Sequence, residues 1–311
     1  MLPASWTSRR CASSSATPPG ECLMSAYRRV LLQGDFDRFA KLSGDDNPIH
    51  CDPEFAAKSH FGATVAHGML LYACICKALT EQVGPGVVQL EQTLMFPNPT
   101  YAGDLLDVSL QVDTESGGIV DIATAISKVG AGDTAVSTAL GRCRVAPAAV
   151  ALPEIAAAAR QGASGDAVLY GLRPGMEASA TRAFSVADLD EYGDLSGDRN
   201  PIFRGDAAAR ARGFARRIVP WPLLAGMFSD LLGTRLPGRG TGWMKQELRY
   251  PSVAYPDEAL TATVSIIRLR ADKELVNLAT RIHAADGRLV CDGEALVLVR
   301  NLENRSGPQA A

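Results

Sequence analysis

The residues best suited to chemistry lie close together in the first half of the chain. Three of its four histidines fall between His50 and His67, and Asp45 lies shortly before the first of them. A carboxylate beside an imidazole can carry out general acid/base catalysis near neutral pH. Gly68 opens a long apolar run, so its amide at the start of a helix can polarise a carbonyl oxygen. The segment 42–71 therefore predicts a catalytic site.

The composition argues against several other kinds of protein. The 311 residues suit two domains of about 150 residues each. The net charge of -3 gives no electrostatic signature of nucleic-acid or anionic-membrane binding. The longest apolar run, 69–79, contains Lys77 and is shorter than the roughly 20 residues of a membrane-spanning helix. The seven cysteines lack CxxC spacing, which argues against a disulfide framework and a zinc site. We expect a soluble, cytoplasmic protein with reduced cysteines and no bound metal.

Local signals in the first half predict helices followed by strands. Helices are expected over residues 35–42, 53–60 and 68–79. Strands are expected over residues 27–32, 87–96, 105–112, 119–129 and 134–145. Asp35 can cap the first helix, Gly44 can end it, and Asp52-Pro53 can begin the second. The third helix is apolar on nearly all sides, as a helix enclosed by a sheet would be. Helices followed by antiparallel strands indicate an α+β fold.

Composition also divides the chain into segments. The N-terminal stretch contains Ser and Pro with no acidic residue before Glu21. We interpret it as a disordered extension, with a transit peptide as the alternative. An Ala-rich stretch with scattered Pro and Gly is typical of a linker. The expected segments are an extension at 1–25, a first repeat at 26–146, a linker at 147–166, a second repeat at 167–302 and a tail at 303–311.

The second half repeats the first. The sequences LSGD at 42–45 and NPI at 47–49 recur 153 positions later, without a gap. The sequence FP at 96–97 recurs as YP after one inserted residue. Self-similarity at a fixed offset is the signature of a duplicated structural unit. The chain therefore contains two copies of one supersecondary unit.

The copies differ at the positions that could do chemistry. Phe203 stands where the first copy has His50, and Trp221 stands where it has Gly68. These replacements remove the imidazole and the small residue whose amide a ligand would approach. A purely structural histidine would have no reason to disappear while the surrounding turn persists. We therefore interpret the first copy as catalytic and the second as degenerate.

The motif of the first copy resembles that of a known family. The residues Gly44-Asp45-x-Asn47-Pro48-x-His50, followed by His67-Gly68-Met69-Leu70, resemble the motif of the MaoC-like, (R)-specific enoyl-CoA hydratases. The tandem arrangement is similar to that of their double hot-dog members, and the resemblance covers about residues 27–299. It implies an α+β double hot-dog fold, in which two antiparallel sheets each wrap a long central helix. In known eukaryotic tandem members the C-terminal repeat is active, whereas here the motif lies in the N-terminal repeat.

The resemblance also implies an activity and its residues. The expected reaction is reversible (R)-specific hydration of trans-2-enoyl-CoA to 3-hydroxyacyl-CoA, with an acyl-CoA thioester as partner and no cofactor. Asp45 and His50 would form the acid/base pair, and the Gly68 amide would hold the thioester oxygen. Contacts with the substrate are expected from Asn47, His67, Cys76, Phe203 and Trp221. The oligomeric state stays open between a single chain, whose repeats form a pseudo-dimer, and a homodimer.

Other interpretations stay open at this point. The substrate could be a mesaconyl-type dicarboxylyl thioester or an acyl-carrier-protein thioester. A hot-dog thioesterase would need only a lone carboxylate, and His50 beside Asp45 argues against it. A non-catalytic acyl-CoA-binding protein is the third alternative, and the intact residues of the first copy argue against it. Asp198 persists in the second copy without a histidine, so a turn-forming role is the alternative for Asp45. Core packing is the alternative for Cys76.

Overall fold

The computed structural model describes residues 24–130, 135–147, 152 and 167–303. Nearly all of the predicted N-terminal extension, linker and C-terminal tail lies outside these residues, so those three segments stay predictions. Among the described residues, no helix is both long enough and apolar enough to cross a membrane.

The two halves contain equivalent elements in the same order. The first half runs through β1 (Met24–Val30), α1 (Gln33–Ser43), α2 (Pro48–Cys51), α3 (Pro53–Lys58), α4 (Gly68–Gln82), β2 (Val88–Met95), β3 (Leu105–Ser116), β4 (Ile119–Val129) and β5 (Ala135–Ala146). The second half runs through β6 (Glu177–Arg182), α5 (Val186–Ser196), α6 (Pro201–Arg204), α7 (Asp206–Arg210), α8 (Trp221–Thr234), β7 (Gly242–Arg249), β8 (Leu260–Arg270), a short 3-10 turn (Ala271–Lys273), β9 (Leu275–Ala284) and β10 (Leu289–Leu298). The helices α1 and α5 begin at positions that the sequence repeat pairs, as do α4 and α8. The repeat in the sequence is therefore a repeat of folded elements.

Local sequence signals account for the helix ends near the site. Gly44 follows α1 with φ 87°, a left-handed conformation that glycine adopts without steric cost. Asp52 caps α3 as predicted, because its carboxylate accepts hydrogen bonds from two backbone N–H groups at the start of that helix. Asp35 caps α1 from the third helical position instead of preceding the helix, and it accepts a hydrogen bond from Leu32 N–H at 2.8 Å. The helix therefore begins two residues before the predicted start.

The ten strands form one antiparallel sheet. The strand order is β1-β3-β4-β5-β2-β7-β10-β9-β8-β6. The two halves meet where β2 pairs with β7, with Leu94 opposite Gln246 and Glu91 opposite Arg249. An unpaired sheet edge exposes a row of backbone donors and acceptors, and this pairing covers the central edge of each half. The two expected antiparallel sheets are thus the two five-stranded halves of one continuous sheet.

The helices α4 and α8 lie at the centre of the two halves and contact each other. Most residues of both helices are buried, as their nearly continuous apolar sequences require. The helix predicted over 68–79 is thus confirmed, and it extends to Gln82. Because α4 and α8 touch, residues of one half can reach the loops of the other.

Candidate active site

A cavity of about 260 Å³ lies between the two halves and is lined mainly by apolar groups. Asp45, His50 and Gly68 line it from the first half, while Ser229 and Gly233 of α8 line it from the second. The structure thus brings the three predicted catalytic residues to one cavity. The second half thus forms part of the wall of the cavity that holds these residues.

The turn after α1 carries Asp45 into the cavity. The Oδ1 atom of Asp45 accepts a hydrogen bond from Asn47 N–H at 3.1 Å, which closes a local turn. Asn47 ties this turn to the second half, since its Oδ1 accepts from Gly240 N–H at 3.1 Å and its Nδ2 donates to the Thr241 carbonyl at 3.2 Å. Asn47 also caps α2. Although Asn47 lines the cavity, its side-chain amide is hydrogen-bonded to backbone groups. Its role in the site is therefore to hold the turn that carries Asp45.

The second half sets the electrostatic environment of the Asp45 carboxyl. Asp45 is 1% exposed, and this burial raises the pKa of its carboxyl to about 7. Hydrogen bonds from the Ser229 hydroxyl and the Asn47 backbone N–H oppose this rise in pKa, because they stabilise the ionised form. Gly233 leaves room for the carboxyl, since a Cβ atom there would lie 2.6 Å from Asp45 Oδ1. The carboxyl is therefore buried, hydrogen-bonded and able to titrate near neutral pH.

His50 is held on α2 in one tautomer. Its Nδ1 lies 2.7 Å from the carbonyl oxygen of Val65, and because a carbonyl can only accept, the ring proton is on Nδ1. The Nε2 atom, 3.8 Å from Asp45 Oδ2, therefore carries a free lone pair. Burial lowers the pKa of His50 to about 4, so the ring is neutral at neutral pH. A neutral imidazole beside a carboxyl that titrates near 7 can exchange protons with a bound molecule.

His67 supports both members of this pair from behind the cavity. Its ring is fully buried, and its Nε2–H donates to the backbone carbonyl of Asp45 at 3.0 Å. The ring also stacks on that of His50, with centroids 3.8 Å apart. Burial, with the nearby His50 as a second cause, holds the pKa of His67 well below its ordinary value. His67 is not part of the cavity lining, so the predicted substrate contact is corrected to a supporting position.

Gly68 presents a backbone donor to the cavity. It is the first residue of α4, so its N–H has no acceptor within the helix, and the helix dipole adds partial positive charge there. The ring of Phe96 packs on Gly68, and a Cβ atom at this position would lie 2.6 Å from Phe96 Cζ. Glycine therefore lets the Phe96 ring lie against the start of α4, and its amide can donate to a developing oxyanion.

The same cluster contains the residue types of a metal site. Ligand atoms of Asp45, His50 and His67 lie within 4.8 Å of one another. However, the Nε2 atom of His67 carries a proton that it donates to a carbonyl, and its ring stacks on that of His50. Stacked rings do not direct their lone pairs at one ion. The cluster suits proton transfer better than metal coordination.

Comparison with known proteins identifies the family. A profile of the MaoC like domain matches residues 14–132. The (R)-specific enoyl-CoA hydratase of Aeromonas caviae is 37% identical over 126 residues, which are 40% of this chain and 94% of that protein. The chain belongs to the MaoC-like family. The 3-hydroxybutyryl-CoA dehydratase of Methylorubrum extorquens is 37% identical over 91 residues, which are 29% of this chain and 58% of that protein. This MaoC-like protein is accordingly an enzyme of the hydratase/dehydratase type, a hydro-lyase.

Solved structures agree with the fold of this MaoC-like chain. A conserved protein of Mycobacterium tuberculosis, described as having a double hotdog fold, superposes with a TM-score of 0.67 over 89% of this chain and 95% of that protein. The sequence identity is 15%, so the likeness concerns the fold alone. Together with the antiparallel sheet and its two central helices, it confirms the expected α+β double hot-dog fold.

In the second half of the MaoC-like chain, aromatic rings fill the space that corresponds to the acid/base pair. Phe203 and Trp221 pack edge to face with ring centroids 5.2 Å apart, and Tyr250 lies against Trp221. All three side chains are buried, and none of them lines the cavity. The substrate contacts predicted for Phe203 and Trp221 are therefore corrected, because these rings pack on one another and form core.

Asp198, the counterpart of Asp45, is surrounded by donors. Its carboxylate accepts from the Thr80 hydroxyl at 2.8 Å and from the Tyr192 hydroxyl at 3.1 Å. Thr80 lies on α4 at the position that corresponds to Gly233 on α8. The room that glycine leaves beside one carboxyl is thus occupied by a threonine beside the other.

Ser229 and Gly233 line the site although no sequence motif pointed to them, and Cys76 lies outside it. Cys76 is buried beside Gln89 and near Asp198 of the second half, and it does not line the cavity. Ser229 is its counterpart on α8 and contacts Asp45. The available signal was the alignment of Cys76 with Ser229, which places a hydroxyl in the copy that has lost its histidine.

Proposed function

We propose that this MaoC-like enzyme hydrates trans-2-enoyl-CoA to (R)-3-hydroxyacyl-CoA and catalyses the reverse dehydration. The observation that carries the proposal is that Asp45, His50 and Gly68 line one cavity, with the unprotonated Nε2 of His50 3.8 Å from Asp45 Oδ2 and the Gly68 N–H in the first turn of α4. The relatives named (R)-specific enoyl-CoA hydratase and 3-hydroxybutyryl-CoA dehydratase support the substrate class, and the first supports the (R) configuration.

In the hydration direction, His50 acts as the base. Its Nε2 lies 3.8 Å from Asp45 Oδ2, a separation at which one water molecule can contact both atoms. The Nε2 atom takes a proton from the water while the water oxygen bonds to C3 of the substrate. The π electrons of the double bond move toward C2 and into the thioester carbonyl. The Gly68 N–H donates to the carbonyl oxygen as it gains negative charge.

Asp45 supplies the proton that completes the addition. Because burial raises its pKa to about 7, a large fraction of the carboxyl is protonated at neutral pH. Transfer of this proton forms the C2–H bond and leaves ionised Asp45 beside protonated His50. A proton then returns from His50 to Asp45 and restores the starting state. The two groups are neighbours, so water and proton add to the same face of the double bond.

The charge of the residues that line the cavity limits which acyl groups can bind. In the part of the chain that the structure describes, no Lys or Arg lines the cavity. A carboxylate buried there would lack a counter-charge, which is costly in a low-dielectric site. We therefore favour a monocarboxylic acyl chain over the mesaconyl-type dicarboxylyl alternative.

Hydration of crotonyl-CoA tests the proposal directly. The reaction removes the conjugated absorbance of the enoyl thioester, and the configuration of the product can be read with an (R)-specific 3-hydroxyacyl-CoA dehydrogenase. Asp45→Asn and His50→Ala should each lower kcat by about 10²- to 10⁴-fold. A parallel assay with crotonyl-acyl-carrier protein compares the two carriers.

The duplicated scaffold offers a matched control. Asp198→Asn changes the equivalent buried carboxylate in the second half and should leave hydration near the wild-type rate. Release of free thiol by the wild-type enzyme would indicate a thioesterase, and binding without turnover would indicate an acyl-CoA-binding protein. Either result would contradict the proposed hydratase.

A further inference from the structure

Two threonines give the mainly apolar wall of the cavity a polar part. Thr100 lies in the loop between β2 and β3, Thr138 lies on β5, and both line the cavity. Thr100 is 2% exposed, and its hydroxyl makes no hydrogen bond with any other described residue. Burying an unpaired hydroxyl is unfavourable, and at the wall of a cavity a bound molecule can supply the missing partner.

Thr138 has spare hydrogen-bonding capacity at the same wall. Its side chain is fully buried, and its hydroxyl donates a long bond of 3.3 Å to the Ile126 carbonyl. The hydroxyl oxygen can still accept a hydrogen bond. Asn98 Nδ2 donates to the Ser137 carbonyl at 2.9 Å, which ties the loop before Thr100 to the strand that carries Thr138. The loop that carries Thr100 and the strand that carries Thr138 are therefore neighbours in the cavity wall.

The second half has an alanine where the first has Thr100. In the first half, Ala66 N–H donates to the Thr100 carbonyl at 2.8 Å. The equivalent bond in the second half runs from Val219 N–H to the Ala254 carbonyl, also at 2.8 Å. The backbone contact is preserved in both halves, so Ala254 is the structural counterpart of Thr100 without its hydroxyl.

The second half likewise has a valine where the first has Thr138. Gly141 pairs with Leu94 of β2, and Gly293 pairs with the equivalent Leu248 of β7. Three residues before each glycine lie Thr138 and Val290, which are therefore counterparts. Val290 is fully buried, as Thr138 is. Valine and threonine have nearly the same shape, so packing in this fold does not require the hydroxyl. Both hydroxyls occur only in the half whose cavity is open. In the second half, where aromatic rings fill the corresponding space, the counterparts of both threonines are aliphatic residues.

We infer that Thr100 and Thr138 form a subsite that binds an uncharged hydrogen-bonding group of the substrate, an inference that rests on the proposed hydratase function. The group is uncharged because no Lys or Arg of the described residues lines the cavity. Two parts of a thioester substrate share this chemistry: the amides of the pantetheine arm, and a hydroxyl or carbonyl on the acyl chain.

Thr100→Val tests the subsite in the full-length enzyme with three thioesters of one chain length. These are trans-2-hexenoyl-CoA, its 6-hydroxy derivative, and S-ethyl trans-2-hexenethioate, which has no pantetheine arm. If the subsite binds the pantetheine arm, kcat/KM should fall about three- to tenfold for both CoA thioesters and stay unchanged for the S-ethyl thioester. If it binds a group on the acyl chain, the loss should be confined to the 6-hydroxy substrate. A change below about twofold with all three substrates would overturn the inference.

Thr124→Val is the matched control. Thr124 is also buried with an unpaired hydroxyl, but it lies away from the cavity. This variant should keep wild-type kcat/KM, and an equal loss in it would attribute the Thr100 effect to packing and defeat the inference. Both variants should unfold at or slightly above the wild-type temperature, because neither loses a hydrogen bond to another described residue. If the wild-type enzyme hydrates trans-2-hexenoyl-CoA and Thr100→Val is unaffected with every substrate, only the subsite is refuted. If the wild-type enzyme hydrates none of them, the proposed function fails as well.

Discussion

Replacing Gly233 with alanine should lower the rate of catalysis although no reacting group is substituted. The added Cβ atom would lie 2.6 Å from Asp45 Oδ1 and 3.0 Å from Asn47 Cβ, whereas ordinary contact begins at 3.4 Å. The carboxyl must therefore move by about 0.8 Å, and a displacement near 1 Å in an acid/base site costs on the order of 10²-fold in rate. We expect kcat for crotonyl-CoA to fall by about that factor, while KM changes little because the apolar wall is untouched.

The stability of this variant should stay close to that of the wild type. Alanine is favoured over glycine in a helix interior by about 1 kcal/mol, and crowding in a packed site costs about 1–3 kcal/mol. The free energy of unfolding, measured in urea, should therefore change by no more than about 2 kcal/mol. A large loss of kcat with a small change in unfolding would locate the defect at the displaced carboxyl.

Gly226→Ala is the control on the same helix. Its Cβ atom would meet Ser43 Cβ at 3.1 Å, so it introduces a milder crowding between the halves without pressing on a carboxyl. Steady-state rates of the two variants should differ by more than tenfold, by the same positional argument. Wild-type kcat in Gly233→Ala would refute the claim that the room beside Asp45 is required for its position.

Two further predictions concern the titration of Asp45. In Ser229→Ala the Asp45 carboxyl loses a hydrogen-bond donor that stabilises its ionised form, so its pKa should rise. The limb of the pH profile of kcat/KM that reports Asp45 should therefore move to higher pH. An unmoved profile would mean that another group controls that limb. In the wild type, Asp45 stays protonated in the folded state up to about pH 7 but ionises near 3.8 when unfolded, so folding stability falls as the pH rises through this interval. The asparagine of Asp45→Asn does not titrate. The melting temperature of this variant minus that of the wild type should therefore increase by several degrees between pH 4.5 and pH 8. A constant difference across this range would contradict the raised pKa.

Much of the fold can be predicted because its signals are local. The apolar run after Gly68 predicts α4, Gly44 marks the end of α1, and Asp52 marks the start of α3, since caps and periodicity act within a few residues. The recurrence of LSGD and NPI predicts the internal repeat, and the loss of His50 in the second copy points to the half that carries the acid/base pair.

The remaining features depend on contacts between the halves, which no local pattern encodes. The pairing of β2 with β7 and the hydrogen bond from Ser229 to Asp45 join residues that are far apart in the sequence. Aligning the two repeats places Phe203 and Trp221 opposite His50 and Gly68, but it does not tell whether a bulky residue at such a position lines a cavity or fills it. Their packing with Tyr250 decides the outcome, and that packing is visible only in the folded chain.

The contact between α4 and α8 serves the two halves unequally. From α8, the first half receives a hydroxyl at Ser229 and empty space at Gly233, whereas α4 offers Thr80 in return. Two copies of the first half, joined through their β2 edges as β2 and β7 are joined here, would bring Thr80 against Asp45 in the space that glycine now leaves open. The unequal contact thus gives Asp45 open space on the side where Asp198 has a threonine hydroxyl.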